Sequence, residues 1–210
     1  MDKPEGLLTV ATMHERDRTA HSLLTDYIRK GCGRSRKQVY VVHRLDRDTS
    51  GVLIFAKTEE AMERLKDRWK EHEKIYLTIV HGILDQKTGT IESYLAENEG
   101  YVVYETRNRD KGKLAQTQYR VLKERKNLSL VEVRLLTGRK NQIRVHMASI
   151  GHPVLGDEKY GKGGDRVHRM ALHARSISFK HPFTGEPLRF ESDVPEVFTR
   201  MFGEIKESRK

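Results

Sequence analysis

The chain has 210 residues, 36% of them hydrophobic, with 40 Lys and Arg against 30 Asp and Glu for a net charge of +10. That length suits one domain with a substantial core better than two; no apolar run approaches the roughly 18 residues a membrane helix needs, and positions 1–30 lack a signal-peptide core. The single cysteine, Cys32, excludes an internal disulfide and is too few for a zinc ribbon or iron–sulfur site, which fits a reducing, cytoplasmic compartment.

The amphipathic pattern of Thr19–Lys30, with Leu23, Leu24, Tyr27 and Ile28 on one face, predicts a helix stopped at Gly31. Val39–Val42 and Val52–Lys57 read as short strands around a polar loop, and Thr58 caps a helix from Glu59 to about Lys70 that buries Met62, Leu65 and Trp69. Lys74–His81 and Thr90–Leu95 read as a strand pair joined by a turn around Asp85–Gly89. Tyr101–Thr106, Ala115–Leu122 and Leu128–Leu136 continue the β pattern, the last two as a hairpin across Lys126-Asn127. A helix over Asn141–Ile150 stops at Gly151-His152-Pro153, followed by strands Ala171–Phe179 and Leu188–Glu191 and a terminal helix from Val194 to about Ile205. Strands outnumber helices without regular alternation. The pattern predicts an α+β fold, a largely antiparallel mixed sheet with flanking helices, as a single domain over 1–210.

The positive charge is localised. Positions 134–175 hold 9 basic and 3 acidic residues, whereas 71–133 are balanced at 10 and 10. A second basic stretch, Arg29–Arg47, carries Arg29, Lys30, Arg34, Arg36, Lys37, Arg44 and Arg47 against Asp46. If these converge on one face they form the electrostatic footprint of a polyanion; taken singly, each is equally a solvated surface. Within His43-Arg44-Leu45-Asp46-Arg47-Asp48-Thr49-Ser50-Gly51, an aspartate among guanidiniums is available in its ionised form as nucleophile, base or electrostatic stabiliser. A plain loop ion pair would look the same.

His43–Gly51 resembles the HRLDxxTSG signature of the RluA-type pseudouridine synthases. Lys3-Pro4-Glu5-Gly6-Leu7-Leu8 is similar to the family's KPxGL opening, Lys74-Ile75-Tyr76 to KxY, and Gly138-Arg139 through Gln142-Ile143-Arg144-Val145-His146 to GRxxQIRxH. Gly151-His152-Pro153, Gly156-Asp157 and Tyr160-Gly161 resemble GxP…GDxxYG, and Leu172-His173-Ala174 with His181-Pro182 resembles LHA…HP. The order of these motifs, from Lys3 to Pro182, carries the resemblance.

The resemblance implies a pseudouridine synthase fold with a central RNA-binding cleft and a cofactor-independent isomerase acting on uridine in structured RNA, ribosomal RNA first and transfer RNA as the alternative. It implies Asp46 as the essential acid, Tyr76 stacked on the base and placed to help remove the C5 proton, and Arg144 paired with Asp46. It also implies that Arg44 enters the RNA stack when the uridine flips out, that Leu172 packs against the uracil, and that Arg47, Arg139, Lys140 and Asn141 contact RNA. Without the resemblance, Tyr76 and Leu172 read as core residues and Arg44 as a partner of Asp46 or Asp48. The ten histidines show no zincin spacing and are expected to be structural or RNA-contacting, with no metal.

Asn141 stands where many members have His; its amide hydrogen-bonds but does not titrate. Because the chain opens almost on KPxGL, without the strand or S4 domain that precedes it elsewhere in the family, the expectation is a stand-alone catalytic domain, or one lacking its first strand. A monomer with no membrane association is expected. Two further readings stay open: an RNA-binding or chaperone module without turnover, and a nucleoside or glycoside hydrolase using Asp46 with Asp48.

Overall fold

A computed structural model describes residues 1–13, 15, 18–161 and 163–205, so Lys162 of the basic 134–175 stretch lies outside the described residues. The strands are β1 (Asp2–Lys3), β2 (Tyr40–Val41), β3 (Ser50–Val52), β4 (Phe55–Ala56), β5 (Glu73–His81), β6 (Thr88–Glu97), β7 (Val103–Thr106), β8 (Lys113–Arg125), β9 (Leu128–Leu135), β10 (Leu172–Lys180) and β11 (Pro187–Glu191). The helices are α1 (Ala20–Arg29), α2 (Glu59–Asp67), α3 (Gln142–Ser149) and α4 (Glu196–Phe202). Nine strands form one sheet in the order β1-β3-β10-β5-β9-β8-β6-β7, with β11 also on β10; β2 and β4 pair separately. Every pairing is antiparallel except β3 with β10.

The centre of this sheet is apolar on both faces. On one face Tyr76 and Val80 of β5 and Val131 and Val133 of β9 pack with Ile143 and Met147 of α3. On the other, Leu77 and Ile79 of β5 and Leu130 of β9 meet Phe198 and Phe202 of α4. Burying such side chains contributes about 1.5–3 kcal/mol each. This double burial explains a departure from the sequence reading: β5 and β6 do not pair. β9, apolar on both sides, takes the place beside β5, while β6, with exposed positions alternating along it, lies further out beside β8. The β8–β9 hairpin turns at Lys126, φ +55.

Helix α1 is capped as its sequence suggests: Thr19 and Ser22 form a reciprocal capping box. Its expected apolar face is only partly used, since Leu23 and Tyr27 are exposed and Ala20 and Thr25 are the buried positions. Thr58 Oγ1 accepts from Ala61 N–H and starts α2, but the helix ends at Asp67 and a single 3-10 turn, Trp69–Glu71, follows. There the Trp69 ring lies 4.7 Å from His43, and Lys74 Nζ donates to Trp69 O. The terminal helix is likewise shorter than expected, with Pro195 at its N-cap.

The parallel contact of β3 with β10 brings the Asp46 loop to the Leu172 strand. Gly51 pairs with Ala174 there at φ +112, and a Cβ on it would sit 2.2 Å from Ala174 O, so only glycine fits. On its other edge β3 pairs with β1, which carries Lys3, a side chain 1% exposed. Lys3 Nζ donates to Pro4 O, Leu7 O and Arg47 O at 2.8, 2.7 and 2.8 Å. Burial lowers its ammonium to about 8, against the favourable charges of Asp48 and Asp46. Replacing Lys3 by Met leaves these carbonyls without their donor, and a single buried unsatisfied group costs about 1–3 kcal/mol. Lys3→Met is therefore expected to lower the unfolding free energy by at least that amount, read as a lower denaturant midpoint at unchanged slope; an unchanged midpoint would show that the three hydrogen bonds are dispensable.

Candidate active site

The loop that carries Asp46 is pinned by its backbone. Thr9 Oγ1 donates to Leu45 O at 2.9 Å and accepts from Leu45 N–H at 3.1 Å, while the Leu45 side chain is buried. One residue beyond the aspartate, Lys3 holds Arg47 O; the Arg47 side chain turns back to Gly6 O at 3.1 Å and to Glu15 at 3.3 Å. His43 Nε2 accepts from Ile54 N–H at 3.0 Å, and burial with the nearby Lys74 ammonium pushes its ring down to about 3, so it remains the neutral acceptor. These contacts fix Asp46 by 28% exposure at the floor of an open cleft of about 710 Å³, a volume typical of ligand sites.

Two donors converge on one oxygen of Asp46. Asn141 Nδ2 donates to Oδ2 at 2.6 Å and Arg144 Nη1 to the same atom at 3.3 Å. Among the described residues nothing donates to Oδ1, which is left for chemistry. Arg144, on α3, is anchored elsewhere: its Nε and Nη2 donate to Asp157 Oδ2 and Oδ1, both at 2.7 Å. The Asp157 side chain is fully buried and also accepts from the N–H groups of Lys159 and Tyr160 at 2.9 and 3.0 Å. Burial alone would raise the Asp157 carboxyl and lower the guanidinium, but their mutual hydrogen bonds and charges outweigh it in both. Arg144 is held permanently charged and Asp157 below its usual carboxylate range.

Asn141 sits at the N-cap of α3 with φ +53, yet its side chain makes no cap hydrogen bond. Its amide orientation follows from its partners: Tyr160 Oη donates to Asn141 Oδ1 at 3.3 Å while itself accepting from Val103 N–H at 3.1 Å, leaving Nδ2 to face Asp46. Gln142 shapes the approach, accepting on Oε1 from Thr137 Oγ1 and Arg139 N–H and donating through Nε2 to Gln116 O and Thr117 Oγ1. Asn141, expected as an RNA contact, thus lines the cleft and donates to the aspartate as well.

Tyr76, in mid-strand on β5, lines the cleft with 9% of its surface exposed. Burial, with the Asp46 charge, pushes its phenol above the usual range, so it is neutral at physiological pH and suited to stacking. Leu172, 3% exposed, opens β10 beside it. Arg44 is exposed at the cleft and, among the described residues, forms no ion pair with Asp46 or Asp48, which leaves its guanidinium free to stack. Across the cleft Arg139 Nε donates to Leu114 O at 3.0 Å, and Lys140 pairs with Glu97. Lys66, Lys74 and Lys159 also face it, and burial lowers Lys74 to about 8.

Arg44 and Arg47 of one basic stretch and Arg139, Lys140, Arg144 and Lys159 of the other therefore line one cleft with Asp46, while Arg29, Lys30, Arg34, Arg36 and Lys37 lie outside it. A larger hollow of about 860 Å³ on the opposite face of the sheet is lined by four arginines against Glu73 and Glu132, and each arginine is engaged in an ion pair: Arg120 with Glu132 at 2.7 Å, Arg134 with Glu73 at 3.4 Å, and Arg175 and Arg189 with Glu191. Sequence reasoning gave no role to Asp157, Tyr160 or Thr9. Asp157 left one usable signal, as one of only 3 acidic residues in the strongly basic 134–175 stretch. Of the histidines, His146 bridges Thr117 and Ser93, and His173 bonds Ser50, all as structural contacts.

Residues 1–149 match the sequence profile of the family described as RNA pseudouridylate synthase. The chain belongs to that family. The RluA-type resemblance of its motifs and the expected α+β synthase fold are thereby borne out. Among similar proteins, the Bacillus subtilis (strain 168) "uncharacterized RNA pseudouridine synthase YlyB" is 39% identical over 171 residues, covering 80% of this chain and 56% of its own length. Ribosomal large subunit pseudouridine synthase D of Zymomonas mobilis is 38% identical over 181 residues, covering 77% and 55%. The chain thus spans a little over half the length of these relatives. In three dimensions it is similar to human RNA pseudouridylate synthase domain containing 4, with a TM-score of 0.78 over 95% of this chain and 86% of that one; at 22% identity this shows the fold. No described helix is long and apolar enough to cross a membrane.

Two substitutions test the arrangement. Asn141→Ala removes a hydrogen bond to a charged group, about 1.5–3 kcal/mol, and is expected to lower kcat/KM by roughly 10- to 150-fold in an assay of C5 hydrogen release from RNA; Asn141→Asp should add an acid limb to the pH–rate profile, because two adjacent carboxylates do not both ionise easily. Asp157, held low in the folded state, contributes stability that is present above the ordinary Asp value of 3.8 and drains away as pH falls through the lower folded value. Asp157→Asn is expected to flatten the acid side of a melting-temperature profile below about pH 4. A profile parallel to that of the unmodified protein would remove Asp157 from this role.

Proposed function

We propose that the chain is a cofactor-independent RNA pseudouridine synthase that isomerises uridine in structured RNA, with ribosomal RNA, as named for the Zymomonas mobilis relative, the first candidate and transfer RNA the second. The observation that carries this reading is the Asp46 carboxylate, with one oxygen held by Asn141 and Arg144 and the other free, facing Tyr76 and Leu172 in a basic-rimmed cleft.

The reaction breaks the N1–C1′ bond, turns the uracil over and joins C5 to C1′; C5 loses its hydrogen as a proton and N1 gains one, so no oxidant, reductant or water is consumed. Asp46 Oδ1 suits each entry to this sequence: addition to C1′, addition to C6, or removal of the C2′ proton. The fixed Arg144 charge stabilises the carboxylate as it forms and leaves a bond. The neutral Tyr76 ring and Leu172 provide the apolar walls for an extruded base, and the free Arg44 guanidinium fills the gap left in the stack. A hydrolase reading would need a second working carboxylate across the bond. Asp48, the partner considered above, lies two residues from Asp46 on the same loop rather than across the cleft, and Asp157 is committed to Arg144.

Release of tritium from RNA labelled at uracil C5 tests the proposal. The unmodified protein should release it in step with pseudouridine formation, and Asp46→Asn should slow release by at least about a thousandfold. Binding of RNA without release by either protein favours a binding module, and free uracil among the products favours a hydrolase.

A further inference from the structure

The hairpin loop between β6 and β7 carries a feature that its own folding does not require. Asn98 N–H donates to Val102 O at 3.0 Å, Tyr101 N–H to Asn98 O at 3.0 Å, and Val102 N–H to Asn98 Oδ1 at 2.9 Å. Inside this tight loop Tyr101 sits at φ +58, a left-handed conformation that Gly or Asn adopts readily and an aromatic residue only against steric resistance. Burial does not offset that resistance, because Tyr101 is 72% exposed.

Two lysines lock the loop against the catalytic cleft. Lys159 Nζ donates to Tyr101 O at 2.8 Å, and the Lys140 ammonium lies 5.3 Å from the centre of the Tyr101 ring. Both lysines line the cleft that holds Asp46, which sets Tyr101 at its rim. The rim carries both signs: Lys140 pairs with Glu97, while the Lys159 ammonium is lowered by burial and by the nearby Lys140 and Arg144 charges against the pull of Glu97 and Asp46. The left-handed angle is what closes the hairpin; the choice of an aromatic residue for it, with its ring held in water beside Lys159 and the Glu97-paired Lys140, is the combination that stacks a nucleobase and meets its phosphate.

We infer that Tyr101, Lys140 and Lys159 form a rim subsite for a nucleotide flanking the reacting uridine, its unstacked base on the open side of the Tyr101 ring and its phosphodiester at the two ammonium groups. The subsite rests on the RNA reading above and deepens it. It supplies a contact separate from Arg44, so that the chain reads the geometry of the strand around the uridine as well as the uridine. Tyr101 is thereby a residue of substrate selection, separate from the group that performs the chemistry.

Glycine at position 101 keeps the left-handed backbone, so Tyr101→Gly removes the ring without disturbing the loop, and thermal unfolding checks that it folds. Equilibrium binding of structured ribosomal RNA and the KM for tritium release are expected to weaken by roughly 5- to 150-fold, the equivalent of one stacked base, with kcat at saturating RNA unchanged. Tyr101→Phe should bind as the unmodified protein does. Lys140→Gln should reduce the slope of log binding constant against log salt by about one, whereas Tyr101→Gly leaves that slope unchanged. Unweakened binding by Tyr101→Gly, or equal weakening by Tyr101→Phe, overturns the subsite. Failure of the isomerase reading shows separately, as absence of tritium release by the unmodified protein, because the binding comparison needs no turnover.

Discussion

A guanidinium shared between two carboxylates sets the geometry of the whole site. Asp157 is fully buried and its oxygens are engaged by Arg144 and by two backbone N–H groups, which fixes the plane of the Arg144 fork. With Nε and Nη2 committed, only Nη1 is left to reach Asp46. Lysine in place of Arg144 would supply a charge but not a plane, and could not hold one carboxylate side-on while directing a donor at another. The burial of so much charge is tolerated because every partner is satisfied; removing one member of a buried pair costs about 3–5 kcal/mol. Fold stability and site orientation thus rest on the same atoms.

The opposite wall is held through backbone groups. Lys3, Thr9 and Arg47 bind carbonyls and an N–H group of the Asp46 loop and of Gly6 and Leu7, and none of them hydrogen-bonds to the Asp46 carboxylate. A working group on a loop needs this kind of restraint, since a loop without it would lose orientation on binding. One wall therefore fixes the backbone beneath Asp46 and the other fixes a single oxygen. The freedom that remains is concentrated at Oδ1, where a substrate atom would arrive.

Local patterns in the sequence were sufficient for β5 to β11, the capped helices and the β8–β9 hairpin, because alternation, Thr caps and a short polar turn are each decided within a few residues; the two-residue β1 and the split of Val52–Lys57 into the end of β3 and β4 are too short to leave a pattern. The mispaired β5 and β6 show where such reasoning stops: partner choice depends on which distant strand is apolar on both faces. Motif order was sufficient to bring Asp46, Tyr76, Arg144 and Leu172 together as residues of one cleft. It did not separate donors to the aspartate from donors to a ligand. Asn141 has the composition of an RNA contact and sits in a basic run, yet Tyr160, 19 residues on, turns its amide toward Asp46. Asp157 was quoted within a motif but without a task, since a buried acid gains meaning only from the arginine it meets. Tyr101 left no pattern at all, because its oddity is a backbone angle.

The parallel join of β3 to β10 has a consequence for how the protein is made. Asp46 is near the start of the chain, but its donors are 95 and 98 residues further on, and the strand that closes its cleft pairs across 123. Contacts of such separation form late, after the loops between them have been closed. A nascent chain that has left the ribosome only as far as β9 has its aspartate without Arg144, Asn141 or Leu172, and so has no competent centre. The Asp46 site is therefore complete only when the sheet is, and a half-made molecule carries the aspartate without the groups that orient it.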